Sequence, residues 1–420
     1  MACLQSIYVL SLARAHLRSG PGAVFPRGKA AGLDPGCSGG YYAQRDTESM
    51  RRLIVVFVAT ILALEVCAVP GARAETPVVG LVVPLSGRWE AVGQKILRGV
   101  MCASGVFGGE GLGIEFVVKD YGDDMGKLAS IVDGLASDDR VLAVIGPVGE
   151  KAVEVACSHA TPAGLPVISF TQAEPAGSKG TVCFRNFLTV ETQAHALLAA
   201  AASLGVTRFA VFGPDDQFGK TLAHHFTRLA PTYGVRVLAA RTYPPTHPDF
   251  QLELRELFKG MGEGARQVQA LLVPDEAANA GMIASYLAYL KRQGIRLFGP
   301  SLWDSPDLMR AGGANVEGAV FLSGFFPHGY SSAARDFAEA FRPYGANPGV
   351  WEASAYDTAR IVSNILQEGV RSRKGVAARL ASVRRYDGAS GLTSLFPDGS
   401  LEKQPRVLSV RGGAVVEIFP

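Results

Sequence analysis

The chain has 420 residues, enough for two or three domains of about 150 residues each. Apolar residues make up 48% and charged residues 19%, with 49 glycines and 24 prolines, a turn-rich globular composition that excludes wholesale disorder, collagen-like fibres and coiled coils. With 41 basic against 38 acidic residues the formal net charge is only +3, far from the excess that a dedicated nucleic-acid binder requires.

In chain order, residues 1–49 show no amphipathic period. Gly36-Cys37-Ser38-Gly39-Gly40 has the spacing of a nucleophile elbow, but no strand precedes it and no periodic helix follows. Met50, Arg51 and Arg52 then open a basic region, Leu53 to Leu64 is an apolar run of 12 residues, and Ala72-Arg73-Ala74 supplies an A-x-A cleavage site. A bilayer span needs about 20 apolar residues. The expectation is therefore a signal peptide over 50–74, a natural start at Met50 with residues 1–49 a non-native extension, and a mature periplasmic chain beginning near Glu75. Cys67 follows Leu64-Glu65-Val66, which lacks the small residue that lipoprotein processing needs. Removing residues 1–74 takes away 8 basic and 4 acidic residues and leaves 33 against 34, a net charge of −1. Three cysteines remain, Cys102, Cys157 and Cys183, allowing one bridge with three candidate pairings.

From Val78 onward, short β-branched runs alternate with amphipathic stretches: strand 78–83, helix 91–107, strand 114–119, helix 127–135, strand 141–145 and strand 166–169. A second series follows, with helix 192–204, strand 208–212, helix 218–230, strands 235–243 and 268–273, and helix 277–293. The remainder reads as strand 318–325, helices 332–344 and 351–368, and strands 407–410 and 414–418. Such alternation predicts an α/β fold of two doubly wound parallel-sheet lobes joined by several crossings. The expected lobes are 75–193 plus 323–395 and 194–322 plus 396–420.

The motifs point to binding. Gly213-Pro214-Asp215-Asp216-Gln217-Phe218-Gly219-Lys220-Thr221 follows a strand but places five residues between its glycines where a phosphate loop has four, and its aspartates would repel phosphate. Gly108 to Gly113 sits between a helix and a strand and does not open a helix, so it reads as a turn. His224 and His225 are neighbours about 100° apart on a helix and cannot share a metal from one face. No catalytic, cofactor or metal constellation emerges. Glycine and hydroxyl chemistry does recur directly after predicted strands, at Ser86, at Gly146-Pro147-Val148-Gly149, and at Ser169-Phe170-Thr171-Gln172. Ligands bind outside the carboxyl ends of strands in open parallel sheets, and amides and hydroxyls there suit a small polar solute.

Taken together, VVGLVVPLSGR (78–88), VLAVIGP (141–147), LPVISF (165–170), CFRNF (183–187), RFAVFGPDDQFGKTLAHHF (208–226), LFGPSLWDSP (297–306), VEGAVFLSGFFP (316–327), AYDTARI (355–361) and YDGASGLTSLF (386–396) resemble, in order, the type I periplasmic binding proteins of the leucine-binding class. The resemblance implies two lobes hinged by three crossings, no enzymatic activity, no cofactor, and a small polar ligand such as an amino acid handed to an ABC permease. Carried over by position, lobe one contributes Trp89 or Val92, Gly149, Glu150, Lys151, Ser169, Gln172 and Ala173, beside Ser86 from the hydroxyl pattern above, and lobe two contributes Phe218, Asp275 and Ser301. The chain departs from the amino-acid binders at Glu150 and Lys151, where hydroxyls hold the ligand carboxylate, at Ala173, and at Ser301 near the acid that holds the ammonium; Asp275 or Asp304 are the acids at hand. FRNFLT (184–189) and GPDDQFG (213–219) also resemble the subset labelled penicillin-binding-protein activators, which implies the alternative of a regulator contacting a membrane peptidoglycan synthase.

Overall fold

The computed structural model describes residues 76–105, 113–172, 182–246 and 249–419. The signal-peptide region, the glycine elbow of residues 36–40 and Ala173 lie outside the described residues.

The first sheet is fed by strand β1 (Val78–Val83), helix α1 (Glu90–Ser104), β2 (Glu115–Asp120), α2 (Met125–Ala136), β3 (Val141–Val148), α3 (Glu150–Ala160), β4 (Val167–Phe170) and β5 (Cys183–Arg185). All its pairings are parallel, in the order β2-β1-β3-β4-β5. β1 and β3 are buried along their whole length, as unbroken apolar runs must be when helices cover both faces of a sheet.

The second sheet is fed by α4 (Val190–Ser203), β6 (Arg208–Pro214), α5 (Gln217–Leu229), β7 (Arg236–Tyr243), α6 (Phe250–Met261), β8 (Ala270–Leu272), α7 (Ala277–Tyr289), β9 (Arg296–Gly299), α8 (Asp307–Gly312) and β10 (Val320–Ser323). The chain then returns to the first lobe with α9 (Ser332–Ala340), α10 (Val350–Gln367), α11 (Arg373–Leu380) and a small antiparallel sheet of β11 (Tyr386–Gly388), β12 (Gly391–Leu395) and β13 (Leu401–Gln404). It ends in the second lobe with β14 (Arg406–Arg411) and β15 (Ala414–Glu417), antiparallel at the sheet edge. The second sheet runs β15-β14-β10-β9-β8-β6-β7. The fold is thus two doubly wound α/β lobes joined by three crossings, as the sequence predicts.

Helix α10 ties the returning segment to the first lobe by packing on α1. A Cβ on Gly99 would lie 2.3 Å from the carbonyl oxygen of Glu352, so only glycine permits this approach. Arg373 clamps α11 to the lobe, its guanidinium donating to the carbonyls of Val141 (2.9 Å), Ala136 (2.9 Å) and Asp138 (2.7 Å). Ala136 is the last residue of α2, and no intrahelical amide reaches its carbonyl.

Of the three open cysteine pairings, the bridge is Cys157–Cys183, with Cα atoms 5.9 Å apart, linking α3 to β5. Cys102 is a buried free thiol, and burial pushes it up to about 11. For a bridge spanning 26 residues, loop-closure entropy predicts a loss of about 3.5 kcal/mol on reduction. Urea unfolding with and without reductant measures it, and coincident midpoints would show that the bridge contributes nothing.

Candidate functional site

In each lobe the strand order reverses once. The first sheet switches between β1 and β3, and the second between β6 and β8. Loops at such switch points diverge to opposite faces and open a crevice at the carboxyl ends of the strands. The hinge lies at those same edges. The first crossing leaves the end of β5, and the second leaves the end of β10. The third runs from β13 into β14, whose Arg406 pairs with Ser323 of β10. The carboxyl edges of both parallel sheets therefore flank the hinge.

At the lobe-one switch point, Ser86 is exposed after β1, but its hydroxyl donates to Asp120 Oδ2 (2.7 Å). Burial pushes the Asp120 carboxyl up, yet the hydrogen bonds from Ser86 and the amides of Gly122 and Leu85 outweigh it and hold the group below its ordinary value. Trp89 is 37% exposed at the start of α1, with Val92 half-buried one turn on. Gly149 precedes α3 with φ +81°, a backbone conformation that favours glycine, and places exposed Glu150 and Lys151 in the first helical turn. With no side chain at Gly149, the first-turn amides of α3 have no side-chain cap, whereas α2, α4, α5, α6, α9 and α11 are each capped by an Asp, Ser or Thr. Tyr121 secures this turn by accepting from Val148 N (3.2 Å), and burial raises its hydroxyl to about 12. Ser169 is buried, its Oγ donating to Phe184 O (3.1 Å), and Gln172 is half-buried beyond β4.

At the lobe-two switch point, Phe218 is half-buried in the first turn of α5. Asp216 caps that helix by accepting from Gly219 N (2.7 Å), and Lys220 pairs with Asp215 (2.7 Å). The loop that mimics a phosphate site thus carries its own anion. Asp275 is buried, accepting from Tyr243 Oη (2.5 Å), Asn279 Nδ2 (2.9 Å) and Glu276 N (2.7 Å). Ser301, after β9, donates its amide to Gln193 Oε1 (2.9 Å). Asp304 is exposed, yet desolvation by the surrounding protein raises its carboxyl from its ordinary value, against the opposing hydrogen bond from Ser323 Oγ beside the second crossing, which donates to Oδ2 (2.5 Å). Among the described residues none donates to its second oxygen, so Asp304 keeps an acceptor that Asp275 has committed.

Sequence reading missed a buried network at the hinge. Lys403 Nζ donates to Asn186 Oδ1 (2.6 Å), Ser390 Oγ (2.8 Å) and Thr393 Oγ1 (2.9 Å). Asp357 accepts from Ser390 Oγ (2.5 Å) and the amides of Ser390 (2.7 Å) and Ala389 (2.9 Å). Asn186 adjoins the first crossing and Lys403 the third, so the network holds the lobe-one sides of both together. Alternation in Leu401-Glu402-Lys403-Gln404 points Lys403 opposite to its neighbours, which was the one available signal.

Two cavities lie away from these edges. One of about 340 Å³ is bounded by β7 and α6, and another of about 490 Å³ by α2 and α3 with His159 and Asp133. Among the described residues no group of three His, Cys, Asp or Glu side chains is placed to hold a metal ion.

No curated protein matches the chain in sequence. Its fold is similar to that of a protein from Rhodospirillum rubrum assigned to branched-chain amino acid ABC transport, with TM-score 0.72 and 23% identity over 82% of this chain and 100% of that one. It is also similar to the branched-chain amino acid transporter substrate-binding protein LivJ from Streptococcus pneumoniae in complex with isoleucine, with TM-score 0.60 and 24% identity over 82% and 100% of the two chains. An ABC transporter substrate-binding protein from Desulfitobacterium hafniense in complex with Leu aligns with TM-score 0.62 and 21% identity over 81% and 99%. The family model described as periplasmic binding protein matches residues 76–414, and the chain belongs to that family.

Proposed function

We propose that the chain is an exported solute-binding protein whose lobes close on a small zwitterionic amino acid and present it to an ABC permease, without chemistry on the ligand. The observation that carries this reading is the charge pattern across the hinge. Lobe one offers the first turn of α3, uncapped by any side chain, with Lys151 in it, and lobe two offers the exposed Asp304 carboxylate. A helix N-terminus with a lysine favours a carboxylate, and an acid with an open acceptor favours an ammonium. Glu150 offsets part of the lobe-one charge, leaving amides and Lys151 as the anion's partners. Trp89 supplies an apolar wall. Ligand binding shifts the open-to-closed equilibrium by its differential affinity for the two states. The signal peptide over 50–74 and the lobe ranges given above belong to the same reading. The structural relatives named above are amino-acid transport and solute-binding proteins, which favours this reading over regulation of peptidoglycan synthesis through protein contact.

Thermal unfolding of the chain, refolded to strip carried-over ligand, against a panel of amino acids and small polar metabolites tests this. A ligand at 100 times its dissociation constant stabilises by about 2.7 kcal/mol, a shift of several degrees. The expected outcome is a shift with α-amino acids of one side-chain class and none with their N-acetylated or decarboxylated analogues. Silence across the panel from natively refolded protein would contradict the reading. Because the surrounding protein thins the water around the Asp304 carboxyl even though its side chain reaches solvent, it takes up a proton at a higher pH than an ordinary carboxylate, and only its ionised form attracts an ammonium. Affinity should therefore fall on acidification, with an onset at higher pH than an ordinary carboxylate would give, and Asp304→Asn should flatten that dependence.

A further inference from the structure

Strand β2 is an edge of the first sheet, and among the described residues it pairs only with β1. Glu115 N donates to Pro77 O (3.0 Å) and Tyr121 N to Val83 O (3.4 Å), so the odd-numbered residues turn their amides and carbonyls toward β1. Phe116 and Val118 turn theirs the other way, where no described residue meets them. Their side chains alternate between the two faces. Phe116 packs on the α1 side, in a cluster with Ile96 and Val100, and Val117 on the α2 side, with Leu128 and Val132. Glu115 and Lys119 share the face of Val117, and both are exposed. They stand about 13 Å apart along the strand, too far to pair with each other, and neither has an ion-pair partner among the described residues. A lysine alone on an edge strand repels a second copy. Here a glutamate sits as far before Val117 as the lysine sits after it.

We propose that β2 is a two-fold interface at which a second copy of the chain adds its own β2 antiparallel, joining two five-stranded sheets into one. The argument for a second copy is charge complementarity in register. A two-fold interface sets the same segment against itself. With the axis through Val117, residues equidistant from it face each other, so Glu115 meets Lys119 of the partner subunit at both ends of the strand. Directly opposed residues of antiparallel strands lie on one face of the sheet, which brings each pair of side chains together. The backbone agrees independently. Phe116 faces Val118 of the partner subunit, and both turn their amides and carbonyls outward, so each such pair exchanges two hydrogen bonds, while the charged pairs fall at the intervening positions, where side chains approach most closely. Val118, 43% exposed, is covered in the process. Moving the axis one residue either way sets Glu115 and Lys119 opposite uncharged residues.

Sedimentation velocity on the full chain tests the pairing. The wild type is expected to show a concentration-dependent dimer. Glu115→Lys and, separately, Lys119→Glu set like charges opposite each other in both pairs and should each raise the dissociation constant at least about tenfold. The double variant Glu115→Lys with Lys119→Glu restores both pairs and should recover dimerisation. A wild type that stays monomeric up to about 0.1 mM, a dimer indifferent to either single variant, or a double variant that fails to recover would each overturn the proposal.

Discussion

Replacing Lys403 by Met should cost about 3–5 kcal/mol, because it leaves the Asp357 carboxylate buried without its cation. Lys403 and Asp357 are 4% and 0% exposed, and the lysine also holds Asn186, Ser390 and Thr393 at the roots of the first and third crossings. The pair is coupled, so Lys403→Met with Asp357→Leu should lose less than the sum of the single losses. The pH dependence has a definite sign. Burial lowers the Lys403 ammonium to about 8 from 10.5, although Asp357 pulls the other way. Between those values the unfolded chain holds a proton that the folded chain lacks, so this group's contribution to stability rises with pH from about 8 to about 10.5. Below about 8 both states carry the proton and the contribution is flat. Burial raises Asp357 in turn, and that contribution is lost as pH rises through its folded value. Urea unfolding of wild type and Lys403→Met at pH 7, 8, 9 and 10 checks both statements. A deficit under about 1 kcal/mol at pH 7 would show that the network is not a buried charge pair, and a deficit that shrinks toward pH 10 would contradict the sign.

Trp303→Ala should also cost about 3–5 kcal/mol, by opening a cavity where a fully buried indole stands. The indole rests on Gly299, where an added Cβ would lie 2.0 Å from the ring, and its Nε1 donates to Asp275 O (3.0 Å). It wedges the turn that carries Ser301 and Asp304 against the turn that carries Asp275. Gly299→Ala should therefore push the ring from its slot, at about 1–3 kcal/mol, and weaken ligand binding together with stability. Thermal unfolding gives the first effect and titration the second. A Gly299→Ala chain with native affinity would show that the wedge does not position the lobe-two rim.

The doubly wound architecture was legible because parallel strands buried on both faces appear as unbroken apolar runs, as in Val78 to Val83 and Val141 to Ile145. Helix α6 escaped direct reading, although consecutive parallel strands cannot join without a crossover. Phe250, Leu254, Leu257 and Phe258 carry its helical period, and the adjacent charges obscured it. Strands β5, β9 and β11–β13 are three to five residues long, below the length at which alternation registers. At the site, position after a strand was legible but availability was not. Ser86 and Ser169 look like ligand hydroxyls in sequence, yet both donate to partners within the lobe. Asp275 and Asp304 are equal as letters, and only the bonds from Tyr243, Asn279 and Glu276 separate the committed acid from the open one. The Lys403 network joins residues more than 200 apart in sequence, which no local pattern encodes.

The most direct measurement is calorimetric titration of the ligand-stripped chain with the amino acid that thermal shift selects, in the wild type, Lys151→Ala and Asp304→Asn. The account predicts one site per chain and at least about tenfold weaker binding, roughly 1.4 kcal/mol, in each variant. Unchanged affinity in both would place the ligand elsewhere and contradict a zwitterion held between the carboxyl edges of the two sheets.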